Sequence, residues 1–196
     1  MLRKQKGTAI MKKVTLLGDS IRLNYEGRVT ELLKDEYTVF RYDDNGRFAQ
    51  YTLRSLFDYK SFIEGSDVIH WNNGHWDLCD IFGDGSFTPE DQYVFNIKRI
   101  AGHLLKITPN VIFATTTPVR PENQYNDNKV IRRYNELAVE ALRPMGVTIN
   151  DLNAAASKDI DRYICDDLIH LTPDGIELCA DLVAASIRKA GGGNQR

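Results

Sequence analysis

The chain is poor in cysteine and has no long apolar run. Its three cysteines, Cys79, Cys165 and Cys179, are an odd number without C-x-x-C spacing, which indicates reduced, mostly buried thiols rather than a disulfide framework. No stretch reaches the roughly 18 apolar residues of a membrane span. The basic N-terminus is not followed by the apolar segment of a secretion signal. We therefore expect a cytoplasmic protein with no membrane partner.

A dominant charge of one sign is also lacking. The 25 Lys and Arg residues against 27 Asp and Glu residues leave a net charge of -2, with both signs interspersed. Neither a basic stripe for nucleic acid nor an acidic tail is present, so no macromolecular partner is indicated, and the oligomeric state stays open. Because no two histidines stand at metal-ligand spacing and the carboxylates are scattered, we predict no metal or other cofactor. The substrate is expected to be small or locally recognised.

Along the chain, segments whose apolar residues have the spacing of a strand alternate with segments whose apolar residues have the spacing of a helix. This pattern predicts strands at residues 14–17, 37–42, 67–71, 110–115 and 147–150, and helices at 21–33, 51–64, 89–107, 128–142 and from 173 to just before Gly191. Thr88 and Thr172, each followed by proline, are expected to cap two of these helices. Strands that alternate with helices form a parallel sheet, so we expect an α/β fold with five parallel strands and helices on both faces.

The chain is long enough for one hydrophobic core and shows no seam between two domains. We expect one domain over residues 11–190. Residues 1–10 are expected to form a poorly ordered extension and residues 191–196 a flexible tail.

Two short motifs, far apart in sequence, supply the three parts of a hydrolytic triad. Gly18-Asp19-Ser20 follows the first predicted strand, and Asp167-Leu168-Ile169-His170 lies near the other end of the chain. A serine is a weak nucleophile at neutral pH and needs a base, which in turn needs an acid to orient it. The motifs therefore predict Ser20 as nucleophile, His170 as base and Asp167 as orienting acid. The alternatives are that Ser20 only caps a helix and that Asp166 orients His170.

Several polar elements are predicted to meet at one edge of the sheet. Ser20 follows the first strand, Gly46 the second and Asn72 the third, and a polar loop over residues 116–127 follows the fourth. In an open parallel sheet, ligands bind at the carboxyl ends of the strands. The N–H groups of Ser20 and Gly46 and the Asn72 carboxamide are candidate donors for an oxyanion hole. The pentad G-x-S-x-G is absent, which argues against the α/β-hydrolase fold that carries it.

On these motifs the chain resembles the SGNH (GDSL-type) hydrolase superfamily over residues 13 to about 188. Asn45-Gly46-Arg47 is similar to the Gly-Arg form of carbohydrate acetylesterases in that superfamily. Asn72-Asn73-Gly74-His75-Trp76 departs from the common GxND block and is closer to the NxGHWx pattern of the plant polysaccharide O-acetyltransferase and esterase branch. The resemblance gives the oxyanion role to Asn72. Asn73 is the competitor, because a shift of one residue at a strand end changes which side chain faces the cleft.

The resemblance implies a three-layer, flavodoxin-like fold and a cofactor-free serine esterase. Its substrate would be an acetyl or short acyl ester, by preference on a carbohydrate, hydrolysed through an acyl-enzyme. An O-acyltransferase, a lipase or a thioesterase with the same triad are alternatives, and a non-catalytic carbohydrate-binding protein is an alternative of another class. We expect His75 and Arg47 to contact substrate, and Arg120 is a further candidate. His70 and His103 are interpreted as structural.

Overall fold

A computed structural model describes residues 11–192 of the chain. Its five strands are β1 (Lys12–Leu17), β2 (Tyr37–Arg41), β3 (Val68–Trp71), β4 (Val111–Ala114) and β5 (Thr148–Asn150). They pair in parallel in the order β2-β1-β3-β4-β5. The predicted α/β fold with a five-stranded parallel sheet is confirmed. The predicted extension and residues 193–196 of the predicted tail lie outside the described residues.

Helices cover both faces of this sheet. They are α1 (Ser20–Leu33), α2 (Ala49–Asp58), α3 (Lys60–Ile63), α4 (His75–Leu78), α5 (Glu90–Leu104), α6 (Asn128–Leu142), α7 (Leu152–Ala156), α8 (Ile160–Tyr163) and α9 (Pro173–Gly192), with a 3-10 turn at Arg143–Met145. Helices α1 and α9 pack together on one face, and α2, α5 and α6 pack on the other. From residue 11 to residue 192, no helix is both long and apolar enough to cross a membrane.

Neighbouring residues of β1 belong to different cores. Leu16 packs with the side chains of α1 and α9, whereas Leu17 packs with those of α5 and α6. Successive side chains of a strand point to opposite faces, so a strand between two helical layers must be apolar on both sides. This explains why the buried end of the strand is apolar except for Thr15, whose hydroxyl is hydrogen-bonded to Ser66.

The predicted helix over 51–64 is wrong in its bounds. The structure has two helices there, α2 beginning at Ala49 and the short α3. The Asp77 carboxylate accepts the Ala49 N–H at 2.9 Å and so caps α2 from a distant part of the chain. A local sequence pattern does not reveal a cap that comes from 28 residues away.

Two further helix ends differ from the predictions. Pro89 takes the cap position of α5 and Glu90 begins the helix, while Thr88 makes no cap bond. Helix α9 begins at Pro173 with Thr172 Oγ1 accepting the Gly175 N–H, as predicted. It does not stop before Gly191 but continues to residue 192. Gly191 packs closely against Tyr37, where a Cβ atom would lie 2.4 Å from the phenol oxygen, so this position requires glycine.

Candidate active site

Ser20 is the first residue of α1, directly after the carboxyl end of β1. Asp19 caps the helix, with Oδ1 accepting the Ile21 N–H at 3.0 Å. The N–H of a first helical residue has no partner within its own helix, so the Ser20 N–H is available to a ligand. Gly18 adopts a φ of 145°, and a Cβ atom there would lie 2.0 Å from Asn72 Oδ1. Only glycine therefore fits this turn, which explains why it precedes the serine motif.

Asp167 and His170 form the pair that the sequence predicts. His170 Nδ1 and Asp167 Oδ2 are 2.6 Å apart, and Asp167 Oδ1 accepts the main-chain N–H groups of Ile169 and His170 at 3.1 and 2.9 Å. The Cys165 thiol donates to the same oxygen at 3.0 Å. Burial alone would raise the pKa of Asp167, but these hydrogen bonds outweigh it and hold the pKa well below its usual range. Asp167 is therefore charged at neutral pH.

The histidine turn is attached to the helix that carries Ser20. The Leu171 N–H donates to Asn24 Oδ1 at 3.0 Å, and Asn24 lies one turn after Ser20 on the same side of α1. This bond holds His170 beside the first turns of α1. In the described part of the chain no hydrogen bond joins the Ser20 hydroxyl to His170. Such catalytic bonds often shorten only when substrate is bound.

The two competing asparagines have different partners. Asn73 is fully buried, and its amide nitrogen donates to Arg47 O and to Thr52 Oγ1, each at 2.9 Å. Both of its amide hydrogens are thereby used inside the protein. The Asn72 nitrogen donates one bond, to Asp19 Oδ1 at 2.7 Å, which leaves its second hydrogen for another acceptor. The geometry favours Asn72 over Asn73 as an oxyanion donor.

Gly46 is placed differently from the prediction. Its N–H donates to Gly18 O at 2.8 Å, so it is not free to bind an oxyanion. A Cβ atom at Gly46 would lie 2.7 Å from both Gly18 O and the Tyr42 phenol oxygen. Glycine is needed here for close packing of the loop after β2 against the serine turn.

His75, which is predicted to contact substrate, is buried, and both of its ring nitrogens have partners inside the protein. Only 3% of the residue is exposed. The Asn126 amide donates to Nδ1 at 3.3 Å, and Nε2 lies 3.1 Å from Thr117 Oγ1, which fits a neutral ring that donates to the threonine. Burial, with a smaller effect from the charge of His170, lowers the pKa of His75 to about 3. His75 thus joins two loops below the site.

Arg47 and Arg120 differ in exposure and in the groups they contact. Arg47 is exposed at the rim, with its guanidinium 4.7 Å from the centre of the Tyr51 ring and its backbone at a φ of 47°. Arg120 is mostly buried and donates from Nε to Ile164 O at 2.8 Å and from a terminal nitrogen to Asp161 O at 3.1 Å. Arg47 is therefore free to meet a ligand, whereas Arg120 is engaged with the main chain. His70 lies buried in β3 and His103 on the exposed side of α5.

Asp19 and Arg22 are buried charged residues to which the sequence reasoning gave no role. Burial raises the pKa of Asp19 to about 6, although Asn72 and the start of α1 donate hydrogen bonds to it. Arg22 is fully buried and donates to Glu26, to Asp44 O and, at 3.1 Å, to Tyr42 O, so that it fixes the loop after β2. An arginine and a glutamate four residues apart on the apolar side of α1 were the available signal.

Exposed aromatic side chains surround the carboxyl edge of the sheet. Phe87 packs against Phe48 with ring centres 5.6 Å apart, and Trp76 and Phe87 are 42% and 48% exposed. The Tyr125 carbonyl accepts the Asp80 N–H at 2.8 Å and joins the loop after α4 to the loop after β4. Among residues 11–192, no three His, Cys, Asp or Glu side chains are grouped so that they could hold a metal ion.

No family model matches the chain. It is 25% identical over 162 residues to the "GDSL esterase/lipase WDL1" of Oryza sativa subsp. japonica, which covers 74% of this chain and 62% of that protein. It is 26% identical over 165 residues to the "GDSL esterase/lipase CPRD49" of Arabidopsis thaliana, with 76% and 64% covered. The chain thus spans less than two thirds of the length of these curated relatives.

Solved structures share the fold at lower identity. A lipase/acylhydrolase from Enterococcus faecalis superposes with a TM-score of 0.77 at 20% identity over 91% of this chain and 96% of that one. The acetyl xylan esterase AlAXEase superposes with a TM-score of 0.74 at 21% identity over 89% of this chain and 99% of that one. The acetylxylan esterase Axe2 from Geobacillus stearothermophilus superposes with a TM-score of 0.71 at 14% identity over 92% of this chain and 94% of that one.

The strand order defines a three-layer α/β fold. On this fold Ser20 begins α1, and Asp167 and His170 form a hydrogen-bonded pair. The similarity to two GDSL proteins adds sequence support to this likeness of fold. The chain is thus similar in sequence to two GDSL esterase/lipase proteins and in fold to GDSL-type acylhydrolases and esterases.

Proposed function

We propose that the protein is a serine esterase. The observation that carries the proposal is the hydrogen-bonded Asp167–His170 pair, docked on the helix whose first residue is Ser20. An imidazole held by a carboxylate beside a serine is the arrangement that generates a nucleophile at neutral pH. The sequence similarity to two curated relatives that are named GDSL esterase/lipase supports the same reaction.

In the proposed mechanism, the Ser20 hydroxyl oxygen attacks the ester carbonyl while His170 Nε2 takes its proton. Asp167 holds the Nδ1–H of the ring and stabilises the imidazolium that forms. His170 then gives the proton to the departing alcohol, leaving an acyl group on Ser20. Water, deprotonated by the same imidazole, hydrolyses this acyl-enzyme and restores the serine.

The oxyanion of both tetrahedral intermediates would be bound by two donors. These are the Ser20 N–H at the start of α1 and the second amide hydrogen of Asn72. Donors that are held in place before the reaction stabilise the developing charge without reorganisation. Asp19 assists because its hydrogen bond to Asn72 fixes the orientation of the carboxamide.

We propose an acetyl or other short acyl ester of a carbohydrate as substrate. The exposed aromatic side chains at the carboxyl edge, Trp76 and Phe87, offer flat apolar surfaces, and Arg47 offers a cation for hydroxyl or carboxylate groups. Two structural neighbours are described as esterases of acetylated xylan. The cytoplasmic location stays a prediction.

The experiment is hydrolysis of p-nitrophenyl acetate by the wild type and by Ser20→Ala. We expect the variant to lose activity by roughly 1,000-fold or more, with its thermal midpoint nearly unchanged. A fluorophosphonate probe should label the wild type and not the variant. Retained turnover in Ser20→Ala would disprove the serine assignment, and failure to label the wild type would favour a non-catalytic binding protein.

A panel of acetylated sugars and of acyl chains of increasing length tests the substrate class. We expect the highest kcat/KM with acetyl groups on oligosaccharides. Adding an unmodified sugar as acceptor separates hydrolysis from transfer, since an O-acyltransferase would give acylated acceptor in place of free acid. A preference for long chains or for thioesters would point to a lipase or a thioesterase.

A further inference from the structure

The loop after β4 contacts the turn that carries Asp167. Arg120 makes three hydrogen bonds across this contact: its N–H donates to Leu168 O at 3.0 Å, its Nε to Ile164 O at 2.8 Å and a terminal nitrogen to Asp161 O at 3.1 Å. Its ion pair with Asp166, at 3.4 Å, is the weaker part of the contact, because the Asp166 side chain is 99% exposed. Arg120 therefore holds main-chain atoms within this turn and in the segment that leads into it.

The turn needs such support because it is strained. Leu168 lies between Asp167 and His170 with a φ of 75°, in the left-handed region. This conformation costs a branched residue roughly 1–2 kcal/mol, and it persists only when its surroundings impose it. The Arg120 N–H holds the carbonyl of this residue in place.

The loop that carries Arg120 is itself firmly attached. The Asn128 side chain closes it with two bonds to the main chain of Val119, at 3.0 and 2.8 Å. The Asn126 amide donates to His75 O at 3.1 Å and so attaches the loop to the start of α4. The loop is thus a fixed support that connects the centre of the sheet to the histidine turn.

We propose that Arg120 is a positioning residue for Asp167 and His170. It holds this pair where His170 can reach Ser20. This proposal rests on the proposed esterase function. Arg120 acts through the turn, since its guanidinium is 22% exposed and its donors face main-chain carbonyls rather than the open edge. Truncating its side chain leaves the main-chain bond to Leu168 O in place but removes the bonds to Ile164 O and Asp161 O, which hold the segment leading into the turn. This loss should lower the fraction of molecules in which His170 can reach the serine.

The test compares Arg120→Ala with two controls. Arg133→Ala removes an exposed ion pair between Arg133 on α6 and Glu90 on α5, and Asp166→Asn removes the exposed partner of Arg120. With p-nitrophenyl acetate, we expect Arg120→Ala to lower kcat roughly 10- to 100-fold with KM within threefold, because a small misplacement of the base acts on the chemical step. Both controls should stay within twofold of the wild type.

A spectroscopic measurement reports on the turn without any substrate. The Nδ1–H proton of His170, hydrogen-bonded to Asp167, should give a downfield NMR signal that is absent in His170→Gln. We expect this signal to broaden or disappear in Arg120→Ala and to persist in Arg133→Ala. If Arg120→Ala does not fold, Arg120→Lys, which retains the charge but not the fork of donors, should show the same changes to a smaller extent.

Unchanged kcat and an unchanged signal in folded Arg120→Ala would overturn the proposal. A rise in KM alone would also overturn it, because Arg120 would then contact substrate. If the wild type hydrolyses no ester, the proposed function fails, and the downfield signal alone then decides whether Arg120 holds the pair.

Discussion

The nucleophile and the base lie in regions of opposite character. The Ser20 side is built from buried groups: Asp19 is fully buried and Asn72 is 4% exposed, and they bind each other. On the other side, the side chains of His170 and Asp167 are 35% and 50% exposed. The buried half is held by the sheet itself, whereas the exposed half depends on hydrogen bonds from neighbouring loops. Substitutions in the two halves should therefore fail in different ways.

The largest effect on activity alone is expected in the exposed half. Asp167→Asn keeps the size of the side chain but removes the charge that orients His170 and stabilises its imidazolium. We expect kcat to fall roughly 1,000- to 10,000-fold. The thermal midpoint should change little, which differential scanning calorimetry can check. A loss in kcat of less than tenfold would mean that another residue orients His170. The same measurement on Asp166→Asn would show whether that residue is Asp166.

The paired asparagines separate activity from stability in the buried half. Asn72→Ala should lower turnover roughly 100-fold, because it removes an oxyanion donor. Asn73→Ala leaves Arg47 O and Thr52 Oγ1 without their donor, so we expect a loss of about 1–3 kcal/mol in the free energy of unfolding. Urea denaturation and steady-state kinetics on both variants test this. The reverse pattern would give the oxyanion role to Asn73.

The pH dependence of stability should also reflect the buried half. Burial lowers the pKa of His70 to about 3, below the usual value of about 6.5 that it regains on unfolding. The unfolded chain then binds the proton more readily, so this contribution to stability is present above pH 6.5 and is lost as the pH falls. For His70 alone, the free energy of unfolding at pH 5 is lowered by about 2 kcal/mol.

The control for this prediction is His70→Gln, which cannot titrate. Its free energy of unfolding relative to the wild type should improve as the pH falls from 7 to 5. Buried Asp19, whose pKa is raised to about 6, has the opposite effect, but it is present in both proteins and does not enter the difference. A difference that does not change with pH would contradict the prediction.

The smallest effect is expected at Cys165. Its thiol is one of several donors to Asp167, next to two main-chain N–H groups and the His170 ring. Cys165→Ala should therefore cost about 0.5 kcal/mol of transition-state stabilisation, or about twofold in kcat. Cys165→Ser, which restores a donor, should match the wild type. A much larger loss in the alanine variant would mean that the thiol is essential to hold the turn.

Local patterns in the sequence were sufficient for the strands, the long helices and the motif residues. Strand β1 carries apolar residues on both faces, Val14 and Leu16 on one and Leu17 on the other, because it lies between two helical layers. Its burial therefore shows directly in the sequence. The wrong helix bounds arose where a distant group intervened, as Asp77 does at the start of α2. The errors in the site have the same origin, since the partner of the Gly46 N–H is Gly18 O, 28 residues away.

By itself, the sequence determined the fold class, the serine motif at the end of β1 and the closeness of Asp167 to His170, because each depends on spacing within a few residues. Tertiary structure alone decided that both amide hydrogens of Asn73 are used in bonds inside the protein and that His75 is buried. It also decided that Arg120 supports the histidine turn. Whether a polar side chain is free for a ligand depends on which distant donors and acceptors pack against it.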